Sequence, residues 1–302
     1  VSNHKNVKSK RLVNGNLNVL KARFSDAIFF IEEDTKTKLE KKLHKLKDIV
    51  FISGLGNLYQ RAERVRLLVE KISKILNFDL KRFHEYIILS NVDLTTELVK
   101  EFPNLQGKVG GFYASIEKLP KEISHAFFNQ YNQDFDDKKK NTLSYILSIA
   151  QKIDAIVGFF ISYKKLSGAG DPFGIRRSVL SIIKICISKK LELDLVSLVD
   201  FSLEKFKSQN IKVEINNSTI IDFINKRTQI LFKEYGYDSS LIDSVIFNGQ
   251  VNPVKNFNIV KSIHNFSKTS SGNSFLKAFK RLSSIDEKIL TKKKLDKNIL
   301  ET

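Results

Sequence analysis

The stretch GAGDPFGIRRSVL, residues 168–180, places two arginines where a helix is expected to begin. Asp171 is a typical N-cap residue, and Pro172 suits the first helical position. Arg176 and Arg177 follow within about two turns, although the positive end of a helix dipole disfavours cations by roughly 0.3–1 kcal/mol each. The placement indicates that the two guanidinium groups bind an anion.

Two kinds of anion fit this position. A phosphate would meet the free N–H groups of the helix N-terminus, and Lys164 and Lys165 just upstream would add long-range attraction. An internal carboxylate, that of Asp154 or Asp171, would instead hold the helix of residues 172–190 onto the core. Because the guanidinium group binds carboxylates and phosphates equally well in bidentate fashion, the sequence leaves both interpretations open.

Several enzymatic motifs are missing from the chain. It contains no G-x-x-x-x-G-K-[ST] phosphate loop, no G-x-G-x-x-G and no G-x-S-x-G. One cysteine and five scattered histidines make a zinc site a poor hypothesis. Cys186 lies in an apolar helical pattern and is interpreted as a core residue.

Metal-dependent phosphohydrolases of the His-Asp type use an adjacent His-Asp pair, and the chain has no such dipeptide. Asp93 and Asp154 nevertheless lie in apolar helical segments, where a buried carboxylate needs a partner. An arginine is one partner and a metal ion is another. A standalone phosphohydrolase with His84, His125 and the two aspartates around a metal is therefore kept as an alternative.

The charge balance favours an anionic macromolecule as the partner. Lys and Arg number 51 against 33 Asp and Glu, a formal net charge of +18. Such a surplus indicates nucleic acid ahead of a membrane. The alternative is a basic helical scaffold whose lysine-rich surface reflects the composition of an A/T-biased genome and binds nothing specific.

The elements that would position these residues are helices. Nearly every segment repeats the 3.6-residue apolar period, and strand signals are weak, which predicts an all-α fold. Asp79 is expected to cap one long helix that ends at Pro103, and the acidic run of residues 32–34 is interpreted as a solvated helix end. A soft boundary near residues 208–218 divides the chain into domains of residues 1–210 and 211–302.

Composition also bears on location. No apolar run approaches the ~20 residues that span a bilayer, and the first residues do not form a signal peptide. A lone cysteine fits a reducing, cytoplasmic setting. The chain begins with Val and contains no Met, which suggests an internal piece of a longer protein.

Six stretches in this order and spacing carry a resemblance to one family. They are NGNLNVLKARFSDAIFFIEEDTKTKLEKKLHKLKDIVF, LGNLYQRAERV, DLTTELVKEFPNLQG, AQKIDAIVGFF, DPFGIRRSVL and FLKAFKRLSSI. Over about residues 12–285 the chain resembles the beta subunit of bacterial heterotetrameric glycyl-tRNA synthetase.

The resemblance implies a role in the ATP-dependent attachment of glycine to its tRNA. In that family the alpha subunit carries the ATP, Mg and glycine site, so this chain is expected to hold no cofactor and no complete catalytic site. Its implied partners are glycine tRNA, the alpha subunit and a second beta subunit, in a cytoplasmic heterotetramer without a membrane. The middle region of the family resembles a degenerate His-Asp phosphohydrolase fold, which makes Asp93 and Asp154 relics of metal-ligand positions.

The chain departs from the family in two respects. Members commonly read Lys-Ala-Asp where this chain has Asn91, Val92 and Asp93, so a basic residue is lost there. The family also continues into a helical anticodon-binding domain, which residues 211–302 would lead toward without containing it. Any contact with tRNA is therefore expected at backbone phosphates of the acceptor or elbow region.

Overall fold

The computed structural model describes residues 10–132, 141–163, 171, 173–246 and 251–279. Throughout these residues the regular elements are helices, which confirms the predicted all-α class; the likeness to a His-Asp phosphohydrolase stays a prediction. The α-helices are α1 (Lys10–Thr35), α2 (Leu39–Lys42), α3 (Leu58–Ile75), α4 (His84–Ile87), α5 (Glu97–Glu101), α6 (Lys108–Ile116), α7 (Lys121–Asn129), α8 (Thr142–Tyr163), α9 (Ile175–Lys189), α10 (Leu195–Ser208), α11 (Asn217–Glu234), α12 (Ser239–Ile246) and α13 (Pro253–Ser267). Short 3₁₀ helices occupy Leu43–Asp48, Ile88–Thr95 and Pro103–Leu105.

Helix α8 is the centre of the core. It packs against α3, α7, α9 and α10, and nearly all of its residues from Leu143 to Phe160 are buried. By length and composition alone α8 could cross a bilayer, but 89% of its apolar window is covered by the rest of the protein. A helix that is apolar on every side is typical of the centre of a large helical domain as well as of a membrane span.

The segment between Asp79 and Pro103 is not the single helix that the periodicity predicts. It forms α4, the 3₁₀ helix Ile88–Thr95 and α5 in succession. The break at Thr96 has a local cause, because the Thr96 hydroxyl accepts a hydrogen bond from Val99 N–H and begins α5 anew. As a result Asp93 lies in a 3₁₀ helix rather than in an α-helix, and its carboxylate contacts the start of α6.

Asp34 is buried, so the interpretation of residues 32–34 as a solvated helix end is wrong for this residue. Its carboxylate accepts hydrogen bonds from the backbone N–H groups of Glu97 and Leu98, at 3.0 and 3.1 Å, and from the Tyr113 hydroxyl at 3.0 Å. The Lys42 ammonium lies 3.3 Å away. Asp34 therefore caps α5 from a distant helix and ties α1 to the core.

Helices α6 and α7 approach each other at Gly111. A Cβ atom at this position would lie 2.5 Å from the carbonyl oxygen of Ser124 and 2.7 Å from the Cβ of Phe128. Because no side chain fits this gap, glycine is required where the two helices pack.

Helices α11 to α13 extend the same core beyond residue 210. Ile220, Leu231 and Val260 belong to one buried cluster with residues of α3 and α8, and α11 packs against α9 and α10. The division into residues 1–210 and 211–302 stays a prediction.

Candidate nucleic-acid interface

The partners of Asp154 are two arginines of α3. Arg64 donates from Nε to Oδ1 at 2.7 Å and from Nη2 to Oδ2 at 3.3 Å, and Arg61 donates from Nε to Oδ2 at 3.3 Å. Arg64 is fully buried, with its guanidinium group 3.8 Å from the centre of the Phe206 ring and hydrogen-bonded to Gln209 at 2.7 Å. Of the two partners considered for Asp154 from the sequence, the structure shows arginine.

This arrangement opposes a metal ion at Asp154. Both carboxylate oxygens already accept hydrogen bonds from cationic groups, and a divalent cation placed there would meet two buried positive charges. The arginines that hold Asp154 lie 90 and 93 residues before it and are not the pair at Arg176 and Arg177.

Asp93 is held by backbone amides. Its Oδ2 accepts hydrogen bonds from Gly107 N–H at 2.5 Å and Gly110 N–H at 3.2 Å, at the start of α6. Its Oδ1 is buried without a hydrogen-bond partner among the described residues. Burial outweighs the amide hydrogen bonds and raises the pKa of Asp93 to about 6. Asp93 is thus a buried carboxyl that closes the turn before α6.

Neutral polar side chains close to these two aspartates in sequence form a buried hydrogen-bonded network. Gln151 donates to Asn91 Oδ1 at 2.8 Å and to Gln130 Oε1 at 3.0 Å, and Asn91 donates to the Tyr131 hydroxyl at 2.6 Å. Burial raises the pKa of Tyr131 to about 12, so its hydroxyl stays protonated. These contacts between neutral groups join the 3₁₀ helix Ile88–Thr95, the residues just after α7, and α8, while Gln151 Oε1 is buried without a hydrogen-bond partner among the described residues.

The histidines of the phosphohydrolase hypothesis do not join the aspartates. His84 is half exposed and contacts Glu70 at 2.9 Å through Nε2. His125 lines an open cleft with Phe78, Phe83 and Lys121. In the parts of the chain that the structure describes, no group of three or more His, Cys, Asp and Glu side chains could hold a metal ion. The site that this alternative requires is therefore not assembled by these residues.

Helix α9 begins at Ile175, three residues later than Pro172, the start that the sequence predicts; Pro172 lies outside the described residues. Gly174 precedes it with a φ of +66°, a left-handed conformation that glycine adopts without strain. The Asp171 carboxylate accepts hydrogen bonds from Arg176 N–H at 3.1 Å and Arg177 N–H at 3.2 Å. Asp171 thus caps the first turn although three residues separate it from the helix.

The side chains at this helix start form a basic cluster. The Arg177 side chain is 65% exposed, and its Nε lies 3.4 Å from Asp171 Oδ2. Arg177 therefore pairs with Asp171 while most of its side chain faces solvent. Arg227 of α11 adds a third guanidinium group. Burial, and then the positive charge of Arg176, lower the pKa of Arg227. We name Arg176, Arg177 and Arg227 the arginine cluster; Asp171 lies among them, and Lys164 and Lys165 lie outside the described residues.

Sequence reasoning missed Arg61, Arg64 and Arg227 as members of these sites. A signal existed for the first two, because both lie beside the apolar stripe of α3, at Leu58, Ala62 and Val65. Charged side chains on a core-facing helix surface are expected to be paired. For Arg227 the sequence carries no such signal, since only the packing of α11 on α9 brings it to Arg176.

Several known proteins are similar in sequence to this chain over most of its length. A family model described as "Glycyl-tRNA synthetase beta subunit" matches residues 1–247. The glycine–tRNA ligase beta subunit of Buchnera aphidicola subsp. Schizaphis graminum is 37% identical over 249 residues, which is 82% of this chain and 36% of that protein. That of Rickettsia bellii (strain OSU 85-389) is 38% identical over 286 residues, 94% of this chain and 42% of the relative.

A more distant relative gives the same result. The glycine–tRNA ligase beta subunit of Coxiella burnetii (strain Dugway 5J108-111) is 33% identical over 290 residues, 95% of this chain and 42% of that protein. The chain spans about two fifths of the length of these curated relatives. With the family model covering more than half of its residues, the chain belongs to the glycyl-tRNA synthetase beta subunit family.

Proposed function

We propose that this chain is the part of a glycine–tRNA ligase beta subunit that holds glycine tRNA by its phosphates and takes part in subunit assembly. ATP, Mg and glycine would be bound by the alpha subunit of the cytoplasmic heterotetramer, and this chain would have no aminoacylation activity by itself. The observation that supports the proposal most directly is at the start of α9, where the exposed Arg177 guanidinium group lies beside the Asp171 carboxylate and the charges of Arg176 and Asp171 act on Arg227.

The cluster has the charge and the geometry for a phosphate. The Arg177 side chain is 65% exposed, so its guanidinium group can reach an incoming anion. The Asp171 carboxylate meanwhile holds the backbone N–H and the Nε of Arg177. The N-terminus of α9 adds its own attraction for negative charge. The chain's net charge of +18 would draw tRNA toward this surface from a distance.

The test is a titration of glycine tRNA with the wild-type chain and an Arg176→Glu, Arg177→Glu double variant at two salt concentrations. If each arginine contacts one phosphate, the slope of log K against log salt becomes shallower by about 1.5 in the variant, because each lost contact removes roughly 0.7–0.9. A Lys41→Glu, Lys45→Glu variant carries the same change in charge on α2 and the turn after it, and serves as the matched control.

Thermal unfolding of all variants separates binding from folding. If the arginine variant folds normally and loses affinity while the lysine control does not, the phosphate contact is supported. Equal losses in both double variants favour the basic-scaffold alternative. If the arginine double variant melts early, the single Arg177→Glu variant decides, because the Arg177 side chain is mostly exposed and its replacement leaves the core in place.

Assembly is the second part of the proposal, and α1 offers the surface for it. Val13, Leu17, Leu20 and Phe24 follow each other at spacings of four, three and four residues and are 47–65% exposed. Helix α1 packs against α5. An apolar stripe of this length on a helix surface is typical of a protein interface.

We take the alpha subunit as the occupant of this stripe, since the curated relatives are named as beta subunits of glycine–tRNA ligase. Co-purification of the alpha subunit with the wild-type chain and with a Leu20→Asp, Phe24→Asp variant tests this. Loss of the complex from a variant that keeps its helical content supports the assignment. An intact complex places the contact elsewhere.

A further inference from the structure

Two exposed aromatic rings stand beside the arginine cluster. Tyr163 at the end of α8 is 48% exposed and Phe173 just before α9 is 51% exposed. Their ring centres lie 5.1 Å apart, and both contact the buried ring of Phe159, at 5.0 and 5.4 Å. We name this pair the aromatic platform: two half-exposed rings that pack on a buried third.

A series of contacts through the buried rings of Phe159 and Phe160 links the platform to Arg227. Phe159 contacts Phe160, Phe160 contacts Phe223 at 5.2 Å, and the guanidinium group of Arg227 lies 5.1 Å from the centre of the Phe223 ring. Along the chain, Phe173 precedes Arg176 by three residues. The Arg177 guanidinium group lies against the same turn, with Nη2 3.3 Å from the Asp171 carbonyl oxygen and 3.5 Å from the position that a Cβ atom would take at Gly174. An exposed guanidinium group and a half-exposed ring therefore lie together at the N-terminus of α9.

The combination identifies a class of ligand. A protein that binds only duplex phosphates needs cations but gains nothing from exposed rings, because paired bases are stacked inside the helix. Unpaired bases stack on aromatic side chains, at about 1–3 kcal/mol per base, while cations nearby hold the flanking phosphates. An apolar protein partner would fit the rings but would draw no attraction from the exposed positive charge of Arg177.

We propose that the aromatic platform stacks an unpaired nucleotide of tRNA, with Phe173 as the principal ring and Arg177 at the adjoining phosphate. The inference rests on the proposed tRNA binding and adds the kind of RNA that this surface selects. It implies that the chain distinguishes loops and single-stranded ends from duplex RNA without reading base edges.

The test compares variants of Phe173 on three RNAs: glycine tRNA, a 12-nucleotide single-stranded oligoribonucleotide and a blunt 12-base-pair RNA duplex. Phe173→Ala is expected to weaken binding of tRNA and of the single strand by about 5- to 160-fold and to leave duplex binding unchanged. Phe173→Leu should lose as much, because leucine is apolar but has no π face. Phe173→Trp should retain affinity.

The matched control is Phe112→Ala, which removes a phenylalanine that is 46% exposed on α6. It should leave binding of all three RNAs unchanged. If Phe173→Ala matches this control, or if Phe173→Leu binds like the wild-type chain, the stacking inference is overturned. If the duplex is weakened as much as the single strand, the ring is not selecting unpaired bases and the inference fails as well.

The two proposals fail in different experiments. If charge reversal at Arg176 and Arg177 weakens every RNA while Phe173→Ala weakens none, phosphate binding stands and stacking is rejected. If charge reversal has no effect on any RNA, both are rejected. Should Phe173→Ala unfold, Phe173→Leu supplies the same comparison with the packing volume largely kept.

Discussion

The same substitution at two equally buried aspartates should have opposite effects on stability. Asp154 and Asp93 both have zero exposure, but Asp154 faces two guanidinium groups while Asp93 faces backbone amides. Replacement by asparagine preserves the shape of the side chain and removes the charge. The comparison therefore isolates what each charge contributes in its surroundings.

For Asp154→Asn we expect a loss of about 3–5 kcal/mol in the free energy of unfolding, the usual cost when one partner of a buried ion pair is removed. Arg64 is fully buried and Arg61 is 7% exposed, so neither guanidinium group can turn to water for compensation. In a protein of this size such a loss lowers the melting temperature by roughly 6–20 °C.

For Asp93→Asn we expect no loss at neutral pH. A pKa near 6 in place of 3.8 corresponds to about 3 kcal/mol of stability lost when the carboxyl ionises in the folded state. Asparagine avoids that cost and still accepts the hydrogen bond from Gly107. We expect a gain of up to about 3 kcal/mol, reduced by the weaker hydrogen bonds of a neutral acceptor.

The measurement is urea unfolding followed by helical circular dichroism, since the chain has no Trp to report by fluorescence. Glu97→Gln, in an exposed pair with Lys100, is the control and should change stability by less than about 1 kcal/mol. If Asp154→Asn costs no more than this control, the two arginines do not depend on Asp154 and the structural account of that residue is wrong. A large loss in Asp93→Asn would refute the account of Asp93.

The remaining predictions concern pH, packing and capping. The pKa of Asp93 in the folded state is raised above its unfolded value. Its contribution to stability is therefore fully present below pH about 3.8 and is lost as the pH rises through about 6. The difference in unfolding free energy between the wild-type chain and Asp93→Asn should change over that window and be flat from pH 7 to 8. Gly111→Ala should lower the melting temperature, because the new methyl group would lie 2.5 Å from a carbonyl oxygen. Gly15→Ala should not lower it, because a Cβ atom at Gly15 would have no neighbouring atom within 4 Å. Equal melting temperatures for the two variants would contradict the close packing of α6 on α7. Asp34→Ala should lower the free energy of unfolding in urea by more than about 2 kcal/mol, because it removes a helix cap and leaves the Tyr113 hydroxyl without its acceptor. A loss below about 0.5 kcal/mol would show that the Asp34 carboxylate is solvated.

The spacing of apolar residues was sufficient to predict most of the helices. The 3.6-residue period of α3 and α8 was visible because each helix buries a stripe of its own residues. It failed between Asp79 and Pro103, where the apolar spacing still fits a helix. There the hydroxyl of Thr96 and the distant carboxylate of Asp34 satisfy the N–H groups of a new helix start.

For the candidate site as well, some features follow from the sequence and others depend on the tertiary structure. The sequence by itself determined that the chain is helical and basic, that it lacks a phosphate loop and a His-Asp pair, and that Asp171 and the two arginines after it lie at one helix start. These are properties of composition or of residues within six positions of one another. Only the tertiary structure decided that Asp154 pairs with Arg61 and Arg64, and that Arg227 joins Arg176. The partner of a buried charge is whichever opposite charge the packing of distant helices brings within hydrogen-bond reach, and no spacing along the chain records that distance.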